Sequence, residues 1–442
     1  MKKSGNQISA KIGRKLRLRL TKEQAALFEH HCETTRLLYN NLLEYRRRQW
    51  VWLENKHGAW KSSQENRAAF YAEWRENSGF FSDCKQITAA LQENFDFAKR
   101  ARQLPRNTLN IVAESLDNAW QEWMKGKRGA PKFKAKGRGG SFTIQLTGKE
   151  KNVVSRDLAT IKLGTKLGAV KFRDDFYCKN GIKDVASPTP KRITIMKDSR
   201  GQWYASVLFD CERRFRDIEA DEKITVGVDV GIAPNFLVTS TGASVPAPRP
   251  LEKSLSALAR LQRKFARQLR LSNPDCFTEN GAPIRGRRMV ISNRAEKTRL
   301  QIAKLHATIA RKREHFLYDT ANALVKTYEN FIVEDMPISR MMQDGGGHPA
   351  IGKFSRGIAD ASWGKFLEIL GVRCSITGRK FEKVPPQMTT RTCSKCEAQS
   401  ATPIKVRSWT CPKCKTRHNR KINAATNVLK RSNVLERQEV LC

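Results

Sequence analysis

Acidic residues are scarce in this chain of 442 residues: 43 Asp and Glu stand against 83 Lys and Arg, a formal charge of +40 at pH 7. A surface charged only for solubility mixes both signs. So lopsided a balance argues against that explanation and for a polyanionic partner that offsets self-repulsion. Nucleic acid is the natural candidate, with a basic membrane-surface protein as the alternative.

Long hydrophobic runs are missing too. No stretch of about 18 consecutive apolar residues occurs, and the basic start MKKSGNQISAKIG has no apolar core of the kind a secretory leader needs. The expected location is the cytoplasm or nucleoid, with no membrane partner, where thiols stay reduced. Disulfide staples are then not expected, and a chain of this length can bury cores for about two to four domains without them. Eleven cysteines, an odd number, need another explanation. Cys32, Cys84, Cys178, Cys211, Cys276, Cys374 and Cys442 are scattered without ligand spacing and read as ordinary core or surface thiols. The remaining four are clustered.

What is present begins with KLRLRL at Lys15–Leu20, whose two-residue period predicts a strand with one buried and one basic face. Thr21 and Gln24 then have capping-box spacing, and Leu27, Phe28, Leu37, Leu38, Leu42 and Leu43 recur as on a long helix. Helical patterns continue to about Lys125, where Leu116, Ala119, Trp120 and Trp123 form an apolar stripe. The segment GKRGAPKFKAKGRGG from Gly126 to Gly140 breaks helix and offers cations on flexible backbone. Lys132, Lys134, Lys136 and Arg138 are the candidate nucleic-acid contacts there. SFTIQL, RITIM and WYASVLF follow as short strands, the last two separated by a turn at Lys197–Gln202. The expectation is a small β-barrel formed by 1–20 and 126–222, with a helical nucleic-acid recognition insertion at 21–125.

From Lys223 the pattern changes to ITVGVDVG and NFLVTSTG, two further strands. Two long basic helices come next, one marked by Leu255, Leu258, Leu261, Phe265 and Leu269, the other by Ile302, Leu305, Ile309 and Phe316. They predict a hairpin joined by an exposed loop around Ser272–Arg288.

Cys393-x2-Cys396 and Cys411-x2-Cys414 are two knuckles separated by fourteen residues. That spacing fits four thiolates around one structural Zn²⁺, with no position left open for catalysis. Asp229 in VGVDVG and Glu334 in FIVEDM each end an apolar, β-rich run. A carboxylate there is poorly solvated unless it is hydrogen-bonded or binds a cation. Two readings stand side by side: a turn cap and an arginine partner, or the clustered acids with which nucleases hold Mg²⁺.

The chain resembles the TnpB proteins of insertion sequences. The likeness rests on the basic first strand and helix, PKFKAKGRGGSF, GVDVG, VEDMPISRM, DASWGKF, the two cysteine knuckles and NAATN, in that order over nearly the whole length. The resemblance implies a multidomain α+β protein with a RuvC-like, RNase H-type α/β domain at 223–384. It also implies a zinc ribbon at 385–417 and a last RuvC segment and tail at 418–442. Guide RNA and target double-stranded DNA are the implied partners. Asp229 and Glu334 match the first two metal-binding acids by motif position. The third departs: where the family has HDRD with its catalytic Asp, this chain reads His418-Asn419-Arg420-Lys421, so Lys421 stands in the acid's place.

An ammonium cannot ligate Mg²⁺ and adds positive charge where the ion needs negative. One reading is therefore a guide-RNA-dependent DNA binder with cleavage weak or lost, in which Lys421 forms a salt bridge with Asp229 or Glu334. The alternative is an active Mg²⁺-dependent endonuclease supporting transposon maintenance, its site completed by Asp335, Asp360, Glu436 or Glu439. A zinc-ribbon adaptor or conventional transcription factor would account for charge and zinc but not for the RuvC-like motifs.

Overall fold

The computed structural model describes residues 7–78, 95–105, 107–136, 140–146, 153–155, 159–164, 167–173, 185–214, 220–343, 349–399 and 406–432. They belong to two compact units, Asn6–Arg214 and Phe215–Cys442.

The first unit opens with β1 (Gln7–Arg19), longer than the alternation alone predicts, and Leu16 and Leu18 are buried as their period requires. Thr21 caps α1 (Lys22–His57), and the capping box with Gln24 forms in both directions. Among the described residues three more helices follow, α2 (Gln64–Ser78), α3 (Phe95–Ala101) and α4 (Thr108–Met124). Then come β2 (Ser141–Gln145), β3 (Val154–Ser155), β4 (Thr160–Lys162), β5 (Ala169–Arg173), β6 (Val185–Lys197) and β7 (Trp203–Arg214). The strands form one antiparallel seven-stranded sheet in the order β2-β6-β7-β1-β5-β4-β3. No pairing joins β2 to β3 among the described residues, so the expected barrel is a half-barrel there. Short alternating strands predict a curved sheet but do not encode whether its ends meet.

α1 belongs to two cores. Near its start Phe28 meets Phe142 and Trp203 edge-on, at 5.5 and 5.7 Å between ring centroids, and Cys32 packs in the same cluster. Further along, Trp50 has Trp60, Phe70, Trp74, Trp120 and Trp123 within 4.9 to 6.0 Å. Such aromatic packing supplies large buried area in favoured edge-to-face geometry. Arg46 and Asp117 form a buried ion pair beside it.

The second unit is built on β8 (Glu222–Val230), β9 (Asn235–Thr239), β10 (Ser244–Pro246), β11 (Tyr328–Glu334) and β12 (Phe381–Val384), in the order β10-β9-β8-β11-β12. β8 pairs antiparallel with β9 and parallel with β11, which pairs parallel with β12. Between β10 and β11 run α5 (Leu255–Leu271) and α6 (Asn293–Thr327), the expected hairpin. Its connection carries a short 3-10 turn at Pro274–Cys276 and a bridge between Phe277 and Pro283. After β11 come α7 (Ile338–Gln343), α8 (Pro349–Ala361) and α9 (Trp363–Ile376). The chain ends, as described, with the short pair β13 (Ser408–Thr410) and β14 (Arg417–Asn419), then α10 (Arg420–Lys430).

Strand parity decides what each face of this sheet meets. Val226, Val228, Phe331 and Val333 pack with Leu317 and Leu324 of α6 and Phe366 and Leu370 of α9. The alternate positions face α10: Ile332 packs with Val428, and a side chain on Gly227 would strike the Ala425 carbonyl at 2.0 Å. Gly227 thus lets α10 lie directly on β8. No described helix is long and apolar enough to cross a membrane.

Candidate carboxylate site and cysteine cluster

Asp229 and Glu334 have the parity of Gly227 and Ile332, so both lie on the α10 side of the sheet. β8 and β11 run parallel with Val228 beside Val333, which brings the two carboxylates to neighbouring strand ends. Asn419 caps α10, its side-chain oxygen accepting from the backbone N–H of Lys421 at 3.0 Å and Ile422 at 3.5 Å. The helix start is thereby set over the end of β8. Lys421 Nζ donates to Asp229 Oδ2 at 2.8 Å and to the Val230 carbonyl at 3.4 Å. Gly231 makes room for it, since a Cβ there would lie 2.4 Å from Nζ. The Gly231 carbonyl accepts from Trp363 Nε1 at 2.9 Å, which pins this bend from behind.

Lys421 and Asp229 retain 18% and 14% side-chain exposure. Burial pushes the Asp229 carboxyl above its ordinary range, with Lys421 and then Arg420 pulling it back. Glu334 is also pushed up by burial and, more weakly, by the Asp229 charge, while a hydrogen bond from the Thr389 hydroxyl opposes the rise. The two carboxylates are the donors a hard cation takes. The ammonium, however, already holds one Asp229 oxygen and supplies the positive charge itself. With Lys421 in place these residues do not fit Mg²⁺.

The other named acids are engaged elsewhere. Asp360 is buried, accepts from the backbone N–H groups of Leu251 and Glu252, and pairs with Arg313 at 3.0 Å, fastening the approach to α5 onto α6. Asp335 pairs on the surface with Lys383 at 3.2 Å. Glu436 and Glu439 lie outside the described residues.

The ligand sulfurs of Cys393, Cys396, Cys411 and Cys414 all fall within 4.8 Å of one another, with 3.6 Å between Cys393 and Cys414 and between Cys396 and Cys411. A tetrahedron with Zn–S bonds of ~2.3 Å has edges of about 3.8 Å, so the cluster has the dimensions a zinc ion requires. His418 Nε2 lies 3.1 Å from the Cys393 sulfur. Such a contact outside the ligand set is how metal sites orient their ligands.

Three residues without a role in the sequence reading tie cluster and carboxylates together. Asn427 donates to the carbonyls of Thr389 at 2.7 Å and Thr392 at 2.6 Å. Asn423 donates to Thr392 at 2.8 Å and accepts from the Ser394 N–H at 2.8 Å. Thr389, so held, reaches Glu334. The two asparagines are the first and last residues of NAATN; their partners are about thirty to forty residues away, which no local pattern reveals.

In the other unit, Lys132, Lys134 and Lys136 are exposed, on a segment without regular structure. Lys134 Nζ lies 3.9 Å above the Tyr39 ring, and although the residue as a whole is exposed, partial withdrawal of the ammonium from water lowers its pKa. Arg138 lies outside the described residues.

Three stretches match known families. Residues 10–51 match one described as a helix-turn-helix domain, residues 210–344 one described as "Probable transposase", and residues 363–428 one described as a Cas12f1-like TNB domain. In this chain residues 10–51 hold most of β1 and most of α1, a strand and a single helix. A curated protein of Streptomyces pristinaespiralis, provisionally named RNA-guided DNA endonuclease, is 25% identical over 417 residues, 94% of this chain and 88% of its own. InsQ of Escherichia coli (strain K12), provisionally named likewise, is 24% identical over 334 residues, 74% of each chain. The Cas12f1 chain of a solved Cas12f1–sgRNA–target DNA complex aligns at 12% identity and a TM-score of 0.49, covering 95% of this chain and 98% of that one.

Proposed function

Since the chain belongs to the TnpB family, we propose that it is an RNA-guided DNA-targeting protein that binds guide RNA and double-stranded target DNA and cuts weakly or not at all. The names of its relatives and its charge of +40 support the guided binding. The observation that carries the loss of cutting is the Lys421–Asp229 contact of 2.8 Å. In this reading 223–384 with 418–442 is the RuvC-like domain, and Asp229 and Glu334 are what remains of its metal site. Two-ion hydrolysis of a phosphodiester needs anionic ligands to hold the ions, and here an ammonium neutralises the first of them. The four cysteines hold a structural Zn²⁺, with no step of chemistry assigned to it. Lys132, Lys134, Lys136 and Arg138 belong to the nucleic-acid-contacting surface, Lys134 through its position on Tyr39.

Sequencing the RNA that copurifies with the protein tests the guide, and a discrete structured species is expected. Programmed with that RNA, the native chain should bind matched DNA without efficient Mg²⁺-dependent cutting, and Lys421→Asp, alone or with Asn419→Asp, should raise cutting. A random RNA smear removed by moderate salt would sink the guided reading. Robust native cutting, lost on Asp229→Ala and unimproved by Lys421→Asp, would show a third acid elsewhere.

A further inference from the structure

Resting on the nucleic-acid reading above, we propose that Phe133, braced by Arg47, is a stacking site for one unpaired nucleobase. A half-exposed phenylalanine is ordinary on a protein surface, so exposure alone would carry nothing. The segment around this one is what distinguishes it.

Residues 131–136 have no helix or strand of their own, yet one stripe of α1 holds them. Arg36, Tyr39, Asn40 and Arg47 share a face at helical spacing. Asn40 clamps the Lys134 backbone from both sides, accepting from its N–H at 2.8 Å and donating to its carbonyl at 3.1 Å. Arg36 donates to the same carbonyl at 2.9 Å, and Arg47 donates to the Pro131 carbonyl at 2.6 Å. Lys134 is drawn onto the Tyr39 ring. The backbone is therefore fixed on both sides of Phe133, at positions 131 and 134, while its side chain stays 49% exposed. A loop collapsing for hydrophobic reasons would bury the phenylalanine; here hydrogen bonds spend their strength on holding the chain with the ring outside.

The Arg47 guanidinium carbon lies 4.7 Å from the Phe133 ring centroid, within cation–π range. The same guanidinium is bound to Pro131, so it serves as a fixed support for the ring. Lys132 and Lys136 are exposed beside it and offer cations to a phosphodiester chain. A rigid aromatic flanked by lysines is the arrangement that tracks single strands, where each base has a face to stack and the backbone is held electrostatically. The ligand chemistry is a base with its face free, from RNA or from an opened DNA strand.

The test uses the full chain, freed of copurified nucleic acid at high salt, and short single-stranded oligonucleotides in which 2-aminopurine is moved one position at a time. RNA and DNA series are run in parallel. Quenching concentrated at one position in the RNA series assigns the site to the guide; quenching concentrated in the DNA series assigns it to an opened target strand. Phe133→Ala should abolish that quenching and weaken binding by about tenfold to a hundredfold. Phe133→Tyr should preserve both, and Phe133→Leu, which keeps apolar bulk without a π face, should behave like alanine. Unchanged quenching and affinity in Phe133→Ala, with binding that falls only on replacing Lys132 and Lys136, would overturn the proposal while leaving nucleic-acid binding intact. A native chain that binds neither series would overturn both.

Discussion

Replacing Lys421 by Asp exchanges the only described cation in contact with Asp229 for a third carboxylate, and the cost can be worked from the geometry. The native pair is 2.8 Å apart with 14% and 18% exposure, so it is largely but not wholly withdrawn from water. Removing one partner of a buried pair costs about 3–5 kcal/mol; the residual exposure places this one at the low end, ~3 kcal/mol. The second unit alone exceeds 200 residues, and at that size 1 kcal/mol moves Tm by roughly 2–4 °C. A fall of about 6–12 °C in metal-free buffer is expected. A cation that binds only the folded state returns about 2.7 kcal/mol when present at a hundredfold excess over Kd, so saturating Mg²⁺ should restore most of the loss. The native protein should be indifferent to Mg²⁺. Scanning calorimetry of chelator-free protein, titrated with Mg²⁺ so that the cysteine cluster is left alone, measures both. Equal Mg²⁺-induced shifts in the two proteins would mean that Lys421 does not exclude the ion. No shift in the variant would mean that Asp229 and Glu334 do not stand where they can share one.

Lys421→Met removes the cation while keeping side-chain bulk. Burial raises the pKa of Asp229 and Glu334 in the folded state above their reference values of 3.8 and 4.5, so the folded chain binds more protons just above those values and its stability falls as pH rises through that window. The Met variant, with only the weaker pull of Arg420 left on Asp229, should therefore be more destabilised at pH 8 than at pH 5 in urea titrations, and an equal penalty at both would refute the assignment. Cys411→Ser should lower bound zinc from one equivalent to a small fraction by elemental analysis and reduce Tm; full zinc with an unchanged melt would place the metal elsewhere.

Local patterns carried a good part of the fold. Thr21 and Gln24 spelled a capping box that forms, the period of KLRLRL marked which side of β1 is buried, and the cysteine spacing marked four sulfurs that do converge. Long-range relations were not legible. Whether the sheet of the first unit closes depends on pairings between β2 and β3 that no short alternation encodes. That Asp229 and Glu334 emerge side by side follows from the parallel register of β8 and β11, set by helices between them. Lys421 was conspicuous as a cation in an acid's place, but its choice of Asp229 over Glu334 follows from Gly227 and Gly231, two glycines whose meaning is the space they leave. Lys134 reads as one more phosphate contact in a basic run; only the fold puts Tyr39 beneath it.

The loop from Thr389 to Ser394 has a consequence for how such proteins can be recombined. Its first residue touches Glu334, its carbonyls are gripped by Asn423 and Asn427, and Cys393 within it belongs to the cysteine cluster. A cysteine cluster attached this way is not an interchangeable cartridge. A chimera that imports a relative's knuckles at Cys393 but keeps a foreign last helix would sever the grip on the loop, and one that imports the helix without its asparagines would loosen the support of Glu334. The smallest exchangeable piece runs from Thr389 through Asn427, and its natural seams lie in β12 and after α10.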